Sequence, residues 1–176
     1  MGTPHNPEPV KLFVGMLSAN PELLDEAGRM LAEDLGPIDV QSPDLPFDFT
    51  DYYTPTMGGG LKRRLVSFVD LVEPGHLADV KLHTNRMEQE FTERGPTEVE
   101  RPVNLDPGYL SLSKVVLVTT KDYSHRIYLG QGIYAEVTLR YHKGRYEPWE
   151  WTYPDYRTEA YQEFFAAMRE RLLEQK

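Results

Sequence analysis

Residue types that can carry out chemistry are concentrated in two stretches of this 176-residue chain, 48–64 and 104–136. The first contains two carboxylates, two tyrosines, three consecutive glycines and three consecutive cations. The second contains a histidine, carboxylates, cations and tyrosines among turn-forming glycines. Such mixtures are typical of ligand sites, but neither stretch matches a motif whose reaction can be named. The sequence therefore predicts where a site lies rather than which reaction it carries out.

The glycine run in the first stretch predicts a loop that binds an anion. Glycines let backbone N–H groups approach an oxyanion, and three cations follow them in the chain. We assign ligand binding here to Gly59, Gly60, Lys62 and Arg64. The alternative is a flexible hairpin loop beside a charged strand start. The run is not a P-loop, because the pattern G-x-x-x-x-G-K-[ST] is absent.

Polar groups in the second stretch predict the rest of the same site. The Asp-Pro-Gly sequence at 106–108 indicates a turn, and the polar side chains beside it are free to face a pocket. His125 is a candidate general acid or base, oriented by Asp106 or Asp122; the alternative is a partly buried histidine with a structural role. We assign catalytic roles to His125, Asp106 and Glu136, and ligand binding to Asn104, Lys121 and Arg126.

A metal-dependent reading of the same stretches stays open as a third hypothesis. Asp48 and Asp51, with Asp106 and Glu136, offer the oxygen ligands that hard cations prefer. They would make the protein a phosphoesterase or nuclease. We assign no metal ligand, because the chain has no cysteine and its histidines are scattered. The cofactor is unknown.

A hairpin at 124–142 gives the most specific geometric prediction. Its two strands, 124–129 and 133–142, are joined at 130–132, and a three-residue loop centred on Gln131 keeps apolar and polar residues on separate faces. On the polar face this register pairs Arg126 with Glu136 and Tyr128 with Tyr134. On the apolar face it pairs Ile127 with Ala135 and Leu129 with Ile133.

The polar face of this hairpin allows two interpretations. In the first, Tyr128 and Tyr134 are ligand-binding residues that form a floor with Arg126, which holds an anion. In the second, the face is exposed to solvent and the opposite charges stabilise the hairpin by about 0.2–1 kcal/mol.

The remaining pattern predicts an α+β fold. Strands are expected at 11–17, 38–40, 64–69 and in the hairpin, and helices after Asn20-Pro21, from Pro74 and at 158–173. The segment 109–120 fits a strand better than a helix, and 94–102 is expected to be an exposed loop. The order predicts a largely antiparallel sheet with helices packed on one face, and its first part has the order of a split βαβ, ferredoxin-like unit.

Composition limits the classes of function. A formal charge of −9 argues against general nucleic-acid or membrane-surface binding, because phosphate contacts need clustered cations. Residues 1–10 are expected to form a flexible tail and 11–176 a single globular domain. The lack of cysteines and of an 18-residue apolar run fits a cytoplasmic protein without a membrane span. Its oligomeric state is open.

Several ordered motifs together resemble one protein family. They are PVKLFVG, PFDFTDYY, MGGGLKRR, VNLDPGYL, TTKDYSHRIYLG, GIYAEVTL and WTYPDYR. They resemble the bacterial and archaeal family of unknown function DUF4416 from about Pro9 to Phe165. The resemblance implies an intracellular single-domain protein with no established activity. Some members of the family are labelled GTP-binding. This chain, however, lacks a P-loop, and its Lys121 and Asp122 are adjacent, whereas a guanine-specificity motif requires a residue between them.

Three functional hypotheses follow. The first is a protein that binds a small anionic ligand, with phosphate-bearing compounds among the candidates, and is a candidate enzyme on it. The second is a non-catalytic interaction module that uses the tyrosine-rich sheet face. The third is the metal-dependent phosphoesterase or nuclease. Convergence of the assigned residues on one concave pocket would favour the first hypothesis.

Overall fold

A computed structural model describes residues 1–94 and 98–176 of the protein. These residues form nine strands and four α-helices. The strands are β1 Val10–Ser18, β2 Ile38–Gln41, β3 Leu45–Pro46, β4 Lys62–Val72, β5 Asn104–Leu110, β6 Lys114–Thr119, β7 Ile127–Gly130, β8 Ile133–His142 and β9 Arg145–Pro148. The helices are α1 Pro21–Leu35, α2 Thr54–Met57, α3 Leu77–Glu93 and α4 Glu159–Glu174.

All nine strands belong to one sheet. Its main path runs β2-β4-β1-β5-β6-β8-β7, while β3 pairs with β4 and β9 pairs with β8. Every described strand pair is antiparallel. The α+β class with a largely antiparallel sheet is therefore confirmed. The more specific ferredoxin-like arrangement stays a prediction.

Helices cover both faces of the sheet, so the prediction of helices on one face is wrong. The reason lies in β1, which is apolar on both sides and buried at all nine positions. Leu12, Val14 and Met16 pack with α1 and α3 in one core. Phe13, on the other face, packs with α4 in a second core. A strand that buries both faces needs a layer on each.

Local signals correctly predict the start of α1 and both ends of α4, whereas α2 is not predicted. Asn20 caps α1, because its side-chain oxygen accepts a hydrogen bond from the Glu22 N–H at 2.9 Å and Pro21 takes the first helical position. The helix begun at Pro74 is a short 3₁₀ turn continued by α3. The predicted final helix, 158–173, is α4 within one residue at each end.

The turn predicted at 106–108 is wrong, because this sequence lies inside β5. A side chain at Gly108 would place its Cβ 2.5 Å from the carbonyl oxygen of Val116 and 2.6 Å from the Phe13 ring. Glycine is therefore required by close packing between strands rather than by a turn. The strand preferred for 109–120 is confirmed as the end of β5 and the whole of β6.

The hairpin register is confirmed at its centre and wrong at its loop. Tyr128 faces Tyr134 and Ile127 faces Ala135, but Gly130 rather than Leu129 pairs with Ile133. The loop has two residues, Gln131 and Gly132, both with positive φ as in a type I′ turn. Leu129 forms a bulge that restores the register.

The predicted apolar face of β7 does not reach the core. Ile127 and Leu129 are exposed, because β7 is an edge strand and, among the described strands, pairs with β8 alone. Residues 124–126, which we predicted as the start of this strand, lie outside the ladder.

Three other expectations concern segments outside the sheet. Residues 1–9 are exposed and have no regular structure, while the flexibility of this tail stays a prediction. Within the predicted loop 94–102, residues 95–97 lie outside the described part of the chain. No helix among the described residues is long and apolar enough to cross a membrane. The cytoplasmic location and the single domain stay predictions.

A fully buried lysine connects β1, β2, β4 and the end of the chain. The Lys11 ammonium lies 2.5 Å from the Asp39 carboxylate and donates to the Phe68 carbonyl at 2.8 Å. It also donates to the Gln175 side chain at 3.3 Å. The second Asp39 oxygen accepts a hydrogen bond from the Ser67 hydroxyl. Because both charges are removed from water, each depends on the other.

We expect Asp39→Ala to lower the free energy of unfolding by about 3–5 kcal/mol, because it leaves the Lys11 charge buried without a counter-charge. Urea denaturation monitored by circular dichroism measures this loss. The control is Asp48→Ala, an exposed carboxylate, which should change stability by no more than about 0.5 kcal/mol. Equal effects of the two substitutions would contradict the prediction.

Candidate functional site

A cleft of about 560 Å³ opens where β5 and β6 separate. The last pair between these strands is Gly108 with Leu117, whereas β5 continues beside β1 as far as Asn104. Residues 104–107 therefore have no partner from β6. The cleft is lined by residues of the segments 47–53, 117–126 and 153–156, by two residues each from α3 and β5, and by one each from β4, β8 and the segment before β5.

Two charged side chains of α3 make the hydrogen bonds to the β5 backbone that a neighbouring strand would otherwise make. The Lys81 ammonium donates to the Leu105 carbonyl at 2.8 Å, and the Glu88 carboxylate accepts from the Leu105 N–H at 2.7 Å. Both side chains are buried, and the Lys81 ammonium lies 3.9 Å from a carboxylate oxygen of Glu88. Because the backbone groups of Leu105 are satisfied in this way, β5 and β6 can stay apart without a buried unpaired amide.

A network of buried and partly buried polar groups forms the base of the cleft. Arg63 Nη1 donates to the Asp106 carboxylate at 2.9 Å and to the Gly15 carbonyl at 3.2 Å. The Asn104 amide donates to the same Asp106 oxygen at 2.7 Å, while its own oxygen accepts from Arg101. Burial alone raises the pKa of Asp106, but the charges of Arg63 and Lys81 lower it below its ordinary value.

Asp155 is a second carboxyl group in the cleft, in the opposite electrostatic situation. It is buried, and it accepts a hydrogen bond from the Tyr161 hydroxyl at 2.9 Å. Burial raises the pKa of Asp155 above its ordinary value, although the charge of Arg63 opposes this shift. A pair of carboxyl groups with pKa values shifted in opposite directions is a typical arrangement for acid–base chemistry.

Glu136 is the centre of a second network in the cleft. Its Oε2 atom accepts hydrogen bonds from Arg126 Nε at 2.8 Å and from His125 Nε2 at 3.0 Å. Arg126 also donates to the Lys121 carbonyl and to the Tyr153 hydroxyl. The guanidinium is thus fixed by three protein acceptors, while the His125 ring stacks on Trp151.

The mouth of the cleft carries a cation without a carboxylate partner. The Lys121 ammonium lies 3.9 Å from the centre of the Tyr52 ring, and no carboxylate of the described residues forms an ion pair with it. This contact joins the segments 47–53 and 117–126 at the entrance. Lys121 and Tyr52 are both exposed to solvent.

Several groups that line the cleft keep hydrogen-bonding capacity for a ligand. The Asn85 amide and the hydroxyls of Tyr53 and Tyr156 make no hydrogen bond to other described residues. Burial raises the pKa of both tyrosines, so their hydroxyls keep their protons at neutral pH and can donate. Arg63 Nε is also buried and has no partner among the described atoms.

Most of the residues predicted from the second stretch meet at this cleft. Asn104, Asp106, Lys121, Arg126 and Glu136 line it. His125 contacts the cleft through Glu136. The predicted contact between Arg126 and Glu136 is confirmed, although Arg126 lies just before β7.

Most of the residues predicted from the first stretch lie elsewhere. Arg64 points to the other face of β4, where it pairs with Asp44 and Asp25. From the first stretch, the residues that do not line the cleft are Asp48, Asp51, Gly59, Gly60, Lys62 and Arg64; from the second they are His125, Tyr128 and Tyr134. The expectation of one pocket formed with Lys62 and Arg64 is therefore wrong: alternate residues of a strand face opposite sides, and Arg63 is the one that reaches the cleft.

Four charged residues of the cleft were not assigned to the site from the sequence: Arg63, Lys81, Arg101 and Asp155. For α3 a signal exists, because Lys81 and Glu88 follow the helical spacing of the apolar stripe and are buried with it. Charges within an apolar stripe indicate buried polar partners. We find no comparable signal for Asp155.

A metal site receives no support from the arrangement of side chains. Among residues 1–94 and 98–176 there is no cluster of three or more His, Asp or Glu side chains that could hold a metal ion. Asp48 and Asp51 are exposed.

Comparison with known proteins gives a family and no function. The model of a family described as a domain of unknown function, DUF4416, matches residues 8–172, nearly the whole chain. The chain therefore belongs to this family. Neither the curated proteins nor the solved structures contain a match.

The opposite pKa shifts predict opposite pH dependences for two variants. Because the pKa of Asp155 is raised in the folded protein, the ionised group destabilises the fold at neutral pH. This penalty shrinks as pH falls through the folded-state pKa and is gone below the ordinary value of 3.8. Wild type should therefore gain stability relative to Asp155→Asn as pH falls from 7 to 4. Urea denaturation at several pH values measures this difference.

Asp106→Asn serves as the control with the opposite sign. The lowered pKa of Asp106 contributes stability above 3.8 that is lost as pH falls through the folded-state value. Wild type should therefore lose stability relative to Asp106→Asn only when the pH falls below 3.8. A constant difference for both variants would contradict the assigned environments.

Proposed function

We propose that this member of the DUF4416 family binds a small anionic ligand in the cleft between β5 and β6. The observation that carries the proposal is the charge of the lining: five cations face three carboxylates. The cations are Arg63, Lys81, Arg101, Lys121 and Arg126; the carboxylates are Asp106, Glu136 and Asp155. This excess of positive charge occurs in a chain whose formal net charge is −9.

The carboxylates around the cleft do not remove this excess. Glu88 pairs with Arg101 just outside the lining. When Glu88 is counted with the three carboxylates of the lining, five cations still face four carboxylates. A concave, partly dry site concentrates the field of the remaining cations. An anion therefore gains more there than on the acidic surface around it.

Lys121 is the cation that we assign to direct ligand contact. Its present contact with the exposed Tyr52 ring is worth about 0.5–1 kcal/mol. A charge-assisted hydrogen bond to an anion is worth about 1.5–3 kcal/mol, so an anion can displace the ring. Arg126 has a different role, because all three of its nitrogens already donate to protein acceptors. It positions the wall of the cleft.

The same cleft is a candidate for catalysis on the bound anion. Asp155 has the raised pKa expected of a proton donor, and Asp106 has the lowered pKa of a permanent carboxylate. His125 and Glu136 are hydrogen-bonded to each other beside them and keep the acid–base roles proposed from the sequence. The reaction itself stays open.

A second candidate function is the interaction module. Ile127, Tyr128 and Leu129 are three consecutive exposed residues on the edge strand β7. An edge strand with such side chains is a surface on which a partner strand can pair. This surface lies outside the cleft, so the two functions are testable separately.

Lys121→Ala should weaken binding of an anion about tenfold or more, because it removes a charge-assisted contact. A thermal-shift screen of nucleotides, sugar phosphates and organic acids, at constant ionic strength, supplies the ligand. Isothermal titration calorimetry of the best ligand then compares wild type with Lys121→Ala.

Lys143→Ala is the control, since this lysine is exposed in the β8–β9 turn and does not line the cleft. It should bind as wild type does. Stabilisation of the protein by cationic or neutral compounds only, or an equal loss in the two variants, would contradict the proposal.

A further inference from the structure

Exposed aromatic side chains are concentrated at the mouth of the cleft. Four of the large exposed hydrophobic side chains line it: Phe49, Tyr52, Tyr123 and Tyr153. They come from three separate segments of the chain, which the fold brings to one opening. Exposed aromatic surface gathered in one place indicates that something covers it. A ligand that enters the cleft is in the position to do so.

The character of the cleft changes with depth. Its deep cations are almost inaccessible, with exposures of 3% for Arg63 and 5% for Lys81. Its outer rings are open to solvent, with exposures of 59% for Tyr52 and 53% for Tyr123. A ligand that matches this gradient has an acidic end directed inward and an aromatic end near the mouth.

The contacts at the mouth prepare two rings for stacking. The Arg126 guanidinium lies 4.4 Å from the centre of the Tyr123 ring and covers that face. Because Arg126 is itself fixed by Glu136 and Tyr153, it holds the Tyr123 ring in place. Lys121 occupies one face of Tyr52, and this face becomes free when the ammonium moves to pair with an anion.

We infer that the ligand is a planar aromatic ring that carries an acidic group, either phosphate or carboxylate. The ring stacks on Tyr52 and Tyr123 at the mouth, and the acidic group binds Lys121 and points toward the buried cations. The inference rests on the proposed anion-binding function and specifies its ligand class. Stacking selects a planar ring over a saturated one of equal size and charge, because only the planar ring presents a π-face.

Matched pairs of small acids test the ring separately from the charge. Phenyl phosphate is compared with cyclohexyl phosphate, and benzoate with cyclohexanecarboxylate, by NMR chemical-shift titration of the full-length protein. Each aromatic acid should bind about fivefold or more tightly than its saturated partner. The larger affinity of the two aromatic acids identifies phosphate or carboxylate as the acidic group.

Variants show whether the selectivity arises at the mouth. Tyr52→Leu should reduce the preference for the ring, because only Tyr123 is then left for stacking, whereas Tyr128→Leu should keep it in full. Tyr128 is a matched control, because it is also 59% exposed but does not line the cleft. Both substitutions are at the surface, so folding is retained and is checked by the dispersion of the same spectra.

The outcomes separate this inference from the proposed function. Equal binding of aromatic and saturated acids would refute the ring inference and leave the anion function standing. Binding of none of the four acids would contradict both. Phenol has the ring without the acid, and its binding as tightly as phenyl phosphate would refute the anionic part. If Tyr128→Leu lost the preference for aromatic over saturated acids, the ring would bind outside the cleft, and the inference would be wrong.

Discussion

The separation of β5 from β6 is the constraint on which the cleft depends. Strands that diverge inside a protein leave backbone amides without partners, and each such amide is costly when buried. Here Lys81 and Glu88 bind the carbonyl and the N–H of Leu105. One helix therefore supplies the hydrogen bonds of a missing strand, and it does so with charged groups. The space between the strands stays open, and its wall becomes ionic.

Those charges in turn require partners, and the requirement extends through the site. Arg101 pairs with Glu88 and contacts Asn104, which binds Asp106, which binds Arg63. Among the described residues, buried charges of this site have neighbours of opposite charge, as low dielectric surroundings demand. At the entrance, the exposed Lys121 rests on an aromatic ring instead. The ion pairs of the buried charges stabilise the cleft. Lys121, which has no carboxylate partner among the described residues at the entrance, gives the cleft its proposed preference for anions.

Much of the fold is predictable because its signals are local. Capping by Asn20-Pro21 fixes the start of α1, and alternation along β8 fixes the central register of the hairpin. The errors share one cause, since they concern positions at which a distant element decides the outcome. Gly108 has a turn-like neighbourhood in sequence, but packing against Phe13 and Val116 keeps it in a strand. Helices cover both faces because β1 is apolar on both.

For the site, the sequence by itself determined that the polar groups of 104–136 converge, since a hairpin and its preceding strands keep neighbours in sequence close in space. It also determined the contact between Arg126 and Glu136. Only the tertiary structure decided which residue of the run Lys62–Arg64 faces the cleft, because three partner strands and two cores fix the orientation of β4. It alone brought Lys81, Arg101 and Asp155 to the same place. These residues are far apart in the chain, and contacts made across the fold, rather than any local pattern, give them their partners.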